Sequence, residues 1–218
     1  MVELIAHWKM DEGEGQVTED ASGHGCQARL GALAVMESTD PAWVGGRKVF
    51  TAALAFDGDD YVEVRNATML EPQAITIEVW ARACQLSPYG YLVSKGAQDR
   101  VSSYCLTTGE SSGLTFRIFD GKQEHVSPDA GPELWNGAWH HVAGTYDGEA
   151  IRLFVDGTEI GSGTQVSAPI QYGLATHNNL NIGAFRGASE HGFVGAIDEV
   201  RIWGGALSTI QIRHRSRE

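Results

Sequence analysis

Proline, cysteine and basic side chains are all scarce in this chain of 218 residues. Three cysteines, Cys26, Cys84 and Cys105, exclude a disulfide scaffold and allow one bridge at most. A plain buried thiol is the expectation for each. Lys and Arg number 16 against 28 Asp and Glu, a formal charge of −12. Nucleic acid and anionic membrane surfaces both need a basic face, so neither is an expected partner. No run of 18 apolar residues occurs, which excludes a transmembrane helix. The start, MVELIAHWKMDEGEG, has no basic segment followed by an apolar one, so no signal peptide is expected. Either the protein is intracellular or the chain begins after processing.

Glycine is plentiful, at 27 residues against 6 prolines and without a G-X-Y period, as in chains with many turns between short strands. Strand-like segments fall at 4–9, 52–56, 61–65, 74–83, 90–95, 101–107, 114–119, 139–146, 150–155, 158–161, 179–184 and 193–203. Asp57-Gly58-Asp59-Asp60 reads as a hairpin turn, and Ser208 as the cap of a short C-terminal helix. In 74–83, Ile75, Ile77, Val79 and Ala81 alternate with Thr76, Glu78, Trp80 and Arg82. Residues 114–119 and 150–155 alternate in the same way. Period two with one apolar face means antiparallel strands over a core. Many such strands with almost no helix predict two sheets packed face to face in one domain, 1–218.

Several segments then resemble one family together, in order: HWKMDEGEG, EDASGHG, ALAFDGDDYVEV, ITIEVWARA, WHHVAGTYDGEAIRLFVDGTEIG, LNIGAF and GFVGAIDEVRIWGGALS. The set resembles the laminin-G-like, concanavalin A-like jelly-roll family, in its bacterial, pentraxin-related branch. The resemblance implies an all-β antiparallel jelly-roll sandwich. It is weak for function, because this fold hosts lectins, glycoside hydrolases, lyases and adhesion domains. The family also suggests an extracellular setting. Within the motifs, Gly148 and Gly157 fit hairpin tips, and Trp8, Trp139 and Trp203 read as core fillers.

A structural calcium is expected from the resemblance, with Asp20, Ser22 and His24 of the N-terminal loop and Asp198 of the last strand as its ligands. Asp198 shares a face with Ala196, Val200 and Ile202 in the alternation, and points away from Glu199. The two-calcium site of pentraxins is not expected. Asp99 falls on a ligand position, but Arg100 follows it, and Phe185, Arg186 and a single Glu190 stand where several carboxylates belong.

A carbohydrate surface needs aromatic faces for CH patches and planar groups for hydroxyls. The outward strand positions offer Glu78, Trp80, Arg82, Arg117, Phe119, Arg152, Phe154 and Asn181. The loops add Trp43, Tyr89, Tyr91, Arg100, His125, Trp135, His177, Asn178, Arg186 and His191. The expected ligand-binding set is Glu78, Trp80, Arg82, Arg100, Arg117, His125, Arg152, Asn181 and Arg186. No alternating carboxylate pattern, nucleophile elbow, zinc motif or phosphate loop occurs. His140 and His141 face opposite sides of their strand, so one of them belongs near the core. The reading is a non-catalytic, lectin-like module for a polysaccharide or glycoconjugate. A glycoside hydrolase or lyase on the same fold, or an adhesion domain, is the alternative. Oligomeric state is left open.

Overall fold

The computed structural model describes residues 2–84, 88–187 and 191–218. In chain order the strands are β1 (Glu3–Trp8), β2 (Val17–Thr18), β3 (Ala28–Leu30), β4 (Ala42–Gly45), β5 (Ala52–Asp57), β6 (Val62–Val64), β7 (Ile75–Arg82), β8 (Tyr91–Ala97) and β9 (Tyr104–Thr108). They continue as β10 (Leu114–Phe119), β11 (Glu124–Val126), β12 (His140–Tyr146), β13 (Ala150–Val155), β14 (Thr158–Glu159), β15 (Thr164–Gln165), β16 (His177–Ile182) and β17 (Val194–Gly204). One helix, α1 (Thr209–Arg215), follows.

Two antiparallel sheets form a sandwich. The first runs β14-β13-β12-β7-β17-β5-β4, with β1 on β17 and β15 on β13. The second runs β11-β10-β9-β8-β16-β6-β3-β2. The expected alternation fills the space between them. Ile75, Ile77, Val79 and Ala81 from β7 meet Phe116, Ile118, Leu106 and Leu180 from the second sheet in one buried cluster. The sheets come close enough that a Cβ on Gly144 would collide with the Phe116 ring. That closeness needs glycine in the middle of β12, despite its entropic cost in a strand.

Four sequence expectations change here. Asp57–Asp60 is no hairpin, because β5 and β6 belong to different sheets. The turn crosses the sandwich edge. Cys84 is exposed, while Cys26 and Cys105 are buried, and all three are free thiols. Of the three tryptophans read as core fillers, only Trp8 is fully buried. Trp139 stacks under Arg82, 4.9 Å from ring centre to guanidinium, and Trp203 lies beneath α1.

The last change concerns β17. Glu199 has a φ of 53°, and the pairing with β7 shifts register between Asp198 and Arg201. This bulge breaks the pleat, so Ile197 and Val200 both enter the core. Asp198 therefore lies opposite Trp80 on the outer face. Glu199 joins that side, bonding His7 at 2.6 Å and Arg201 at 2.5 Å. The two acids do not point apart.

Part of the outer face of the first sheet, over β12 and β13, is covered by the C-terminal segment. Ser208 caps α1, and Gln211 returns the bond to the Ser208 N–H in a capping box. Ile212 and Leu207 then cover Ala143 and Phe154. The helix rests on the β13–β14 turn at Gly157, where a Cβ would lie 2.6 Å from Ser216 Oγ and 2.9 Å from Arg213 Cα. Gly157 also holds a φ of 77°, so its turn requires glycine twice over.

Glu78 sits under this cover with no exposed surface. Its Oε2 accepts from Trp203 Nε1 at 2.6 Å and Arg215 Nε at 2.8 Å, and its Oε1 lies 3.1 Å from His141 Nε2. Burial pushes the Glu78 carboxyl up, but His141, Arg215 and Trp203 together hold it below the ordinary glutamate value. Its stabilising contribution is therefore present above the unfolded pKa and lost as pH falls through the folded one. Replacing it by alanine strands a buried histidine and an arginine. Glu78→Ala should cost about 3–5 kcal/mol in urea unfolding. A loss below about 1 kcal/mol would mean that the helix is held by its apolar contacts alone.

Candidate ligand-binding cleft

The outer face of the second sheet is built differently. Across it, Arg117 pairs with Cys105, Cys105 with Ser94, and Ser94 with Asn181. Tyr91, Ala97, Cys105 and Phe185 pack there as a small apolar cluster separate from the main core. Two of them, Tyr91 and Phe185, form the floor of a cleft of about 590 Å³. Tyr89, Asp99, Arg100, Arg117, Glu124, Arg186 and His191 complete its lining.

Backbone and side-chain bonds fix this lining. Ser94 Oγ lies 2.9 Å from the Ala184 carbonyl and 2.7 Å from the Phe185 carbonyl, which pins the 183–187 loop to the sheet. Tyr91 N–H donates to His191 O at 3.1 Å. Gln98 and Val101 bond each other across a two-residue turn with Asp99 and Arg100 at its tip. Four aromatic rings gather along one side. Tyr91 and Phe185 are 5.0 Å apart, and His191 lies 6.0 Å from Tyr89 and 6.3 Å from both Tyr91 and Phe185. Tyr89, Asp99 and His191 all hold left-handed backbone, with φ of 57°, 53° and 55°. Asp and His take this conformation more readily than most residues, whereas in Tyr89 it is a strain of the kind that gathers at binding sites.

The charges are mixed but uneven. Arg117 donates from Nε to Thr115 Oγ1 at 3.2 Å and from Nη1 to Glu124 at 3.4 Å. Burial pushes the Glu124 carboxyl up, and Arg117 draws it back only in part. Arg186 carries its guanidinium 5.9 Å from the Phe185 ring centre. Arg100 is exposed and Arg186 half-buried. Together the cleft presents apolar ring faces, planar cations and one exposed turn.

The structure thus brings Arg100, Arg117 and Arg186 together, and separates them from the other expected ligand residues. The outward set divides between two opposite sheets, which alternation within single strands does not reveal. Glu78 is sealed beneath α1 and cannot meet a ligand. Trp80 is buried under Arg47, whose guanidinium sits 3.9 Å above the ring. Arg82 covers Trp139. Arg152 faces Glu159 at 3.6 Å. His125 pairs with Asp120 at 2.8 Å, because its partner across the ladder is the inward Ile118. Asn181 is buried and bonds His177 at 3.1 Å. Trp135 fills the core. Glu124 was missed by sequence reasoning, since β11 is three residues long and too short to show a period. Glu190 lies outside the described residues.

The expected calcium ligands do not converge. Asp20 Oδ1 accepts from His7 N–H at 3.0 Å and Ser22 N–H at 2.9 Å, and Oδ2 accepts from Cys26 N–H at 2.9 Å. Burial raises the Asp20 pKa, yet Ser22 and these three N–H groups bring it below the ordinary value. The carboxylate therefore braces its own loop. Ser22 Oγ donates to the Ile5 carbonyl, and His24 Nδ1 lies 2.9 Å from the same oxygen. Among the described residues, no group of three His, Cys, Asp or Glu is placed to hold a metal ion. Asp198 stands elsewhere. Its Oδ2 accepts from Arg47 N–H at 3.3 Å, and its buried Oδ1 has no partner. Burial, with Glu199 and Asp11 nearby, pushes its pKa up to about 7. Asp198 Oδ1 is the one carboxylate oxygen of this set that is buried without a hydrogen-bond partner.

A second groove, of about 420 Å³, runs past His24, Cys26, Arg29, Glu63, Arg65 and Met69. It has no Phe, Tyr or Trp in its lining, and Arg29 faces Glu63 at 3.8 Å. Its one aromatic ring is His24, against four gathered in the cleft of the second sheet.

Comparison with known proteins bears on the fold. Domain 4 of the extracellular arabinanase AbnA from Geobacillus stearothermophilus, solved with arabinotriose, superposes at a TM-score of 0.72 with 18% identity, covering 99% of this chain and 98% of that one. The binding domain of Paraclostridial Mosquitocidal Protein 1 gives 0.71 at 14% identity, over 98% of this chain and 52% of that one. Trypanosoma rangeli sialidase, solved with the inhibitor DANA, gives 0.64 at 13% identity, over 97% of this chain and 32% of that one. The chain thus spans about half of the toxin domain and a third of the sialidase. No curated protein sequence matches it. No helix among the described residues is long and apolar enough to cross a membrane. A laminin-G family profile, described as the concanavalin A-like lectin/glucanases superfamily, matches residues 56–213, and with the two-sheet sandwich this shows that the chain belongs to that superfamily.

Proposed function

We propose that the chain is a non-catalytic, lectin-like module whose cleft between Tyr89, Arg100, Arg117 and Arg186 binds a sugar of a polysaccharide or glycoconjugate. The observation that carries this reading is the meeting of ring faces and guanidinium groups in one cleft, on the sheet face that α1 leaves open. Aromatic faces take the CH side of a pyranose or furanose, and guanidinium forks take its hydroxyls. The likeness to a domain solved with arabinotriose supports it, and the arabinanase being extracellular supports a similar setting here. The non-catalytic part rests on the cleft acids: Glu124 is engaged by Arg117, and Asp99 occupies a turn tip beside Arg100.

In the same reading a structural calcium binds at Asp198 and not at Asp20. An unpartnered buried carboxylate oxygen is costly, and a cation would relieve it. A carboxyl whose pKa rises on folding loses stability as pH climbs from its unfolded value through its folded one. Asp198→Asn should therefore raise the Tm at pH 8 in chelator, by about 1–3 kcal/mol of stability, and abolish any gain from added calcium. Asp20→Asn should lower the Tm equally with and without calcium. A calcium response that survives in Asp198→Asn but vanishes in Asp20→Asn would reverse this assignment.

The binding reading is tested on a glycan and polysaccharide array. Tyr89 is 39% exposed and free to stack, so Tyr89→Ala should weaken the strongest hit about 3–10-fold with an unchanged Tm. Arg152→Gln, on the other sheet, should leave it unchanged. Absence of any glycan hit for the wild-type chain would overturn the reading.

A further inference from the structure

We propose that the chain binds a soft monovalent metal ion, Cu(I), between the sulfurs of Cys26 and Met69, with His24 as a third ligand. The site lies in the second groove and stands independently of the carbohydrate reading.

Three donors meet in one place. His24, Cys26 and Met69 all line the groove of about 420 Å³. Cys26 Sγ lies 3.5 Å from Met69 Sδ, although 43 residues separate the two in the chain. Metal–sulfur bonds are about 2.3 Å long, so two sulfurs on one ion stand from about 3.3 Å apart, at a right angle, to about 4.6 Å, when opposed. The pair already stands within that range. His24 Nδ1 lies 2.9 Å from the Ile5 carbonyl, so this nitrogen carries the proton and Nε2 keeps its lone pair. A carbonyl on one ring nitrogen is the usual support of a histidine that ligates through the other. Glu3, 3.6 Å from Nε2, is largely exposed and free to turn away.

The two sulfurs sit on fixed backbone. The Cys26 N–H donates to Asp20 Oδ2 at 2.9 Å, and the Cys26 carbonyl accepts from the buried Trp8 Nε1 at 2.6 Å. Met69 belongs to a single 3-10 turn, Thr68–Leu70, whose Leu70 carbonyl accepts from the buried Tyr104 hydroxyl at 3.0 Å. Ligands held in this way need little reordering when an ion enters.

The donor set selects the ion. Thiolate and thioether are soft ligands that favour Cu(I). Among the described residues no three His, Cys, Asp or Glu gather to hold an ion, so a harder divalent ion lacks its donors here. Binding exchanges a proton for the metal: the Cys26 S–H bond breaks, the proton leaves to water, and a sulfur–copper bond forms. The thiolate–Cu(I) unit is neutral. Burial and the Asp20 carboxylate push the Cys26 thiol pKa up, so a bare thiolate would be costly there, and the ion removes that charge.

The test uses the full chain carrying Cys84→Ser, because Cys84 is an exposed free thiol that would take up copper itself. Cu(I) is offered as its bicinchoninate complex, in ascorbate and without oxygen. We expect one Cu(I) per chain to be withdrawn, with a raised Tm and two sulfur neighbours at about 2.3 Å in copper X-ray absorption. Met69→Leu keeps the apolar bulk and should weaken binding about 10-fold, with an unchanged Tm in the metal-free form. His24→Gln should weaken it by a similar factor, and Cys26→Ser by about 100-fold or more. Tyr89→Ala, in the sugar cleft, should bind copper as the parent does. Failure to withdraw any Cu(I) would overturn the site. So would equal affinity in Met69→Leu or in His24→Gln, or a single sulfur neighbour in the absorption spectrum. Zinc held as tightly as Cu(I) would overturn the choice of a soft ion.

Discussion

A carboxylate without access to water, Glu78, sets the terms for this molecule. Burying one charge requires that neighbouring groups answer it, and three elements answer the acid of β7: β12 with His141, β17 with Trp203 and α1 with Arg215. The bonds tie the C-terminal helix to the centre of the first sheet. Ile212, Leu207, Phe154 and Ala143 then form an apolar layer over that sheet. Helix and cluster stabilise one another, because the apolar cover keeps the charges dry and the charges orient the cover. One consequence is functional. With that part of the first sheet covered, the clustered rings and guanidinium groups that could meet a ligand lie on the outer face of the second sheet, in the cleft.

The cleft combines a rigid floor with a shaped rim. Tyr91 belongs to β8, and Ser94 ties the Phe185 loop to the same sheet. Three rim residues sit in left-handed backbone, which is costly for Tyr89 and easier for Asp99 and His191. Such a rim is largely formed before a ligand arrives, which spares the entropy of ordering it. The arginines differ in freedom. Arg117 is braced by Thr115 and Glu124, while Arg100 stands exposed on a turn. A ligand would meet an ordered base and at least one adaptable arm.

Much of the fold was legible in the residues. Ile75, Ile77, Val79 and Ala81 alternate, and they do form the inner face of β7. Ser208 does cap the helix. Strands of two or three residues, such as β2, β11 and β15, were not legible, because a period of two needs more positions to declare itself. The faces were legible only by halves. Alternation separates Glu78 from Ile77, but it cannot say that Glu78 and Arg117 lie on opposite sheets, or that a helix covers one of them. At Glu199 a bulge changed the phase, so Asp198 moved from the core side to the outer side. Arg100 and Arg186 stood out as cations where a related site would hold acids, and that contrast argued against a two-calcium site without showing that Tyr89, Arg117 and Glu124 gather beside them.

The central claim is that ligand meets the second sheet and not the first. Backbone amide chemical-shift mapping by NMR, with an oligosaccharide of the bound glycan, tests it directly. The account expects the largest shifts at Tyr89–Tyr91, Asp99–Arg100, Arg117, Phe185–Arg186 and His191. Shifts centred instead on Trp80, Arg82 and Arg152 would contradict it and return the binding site to the face beneath the helix.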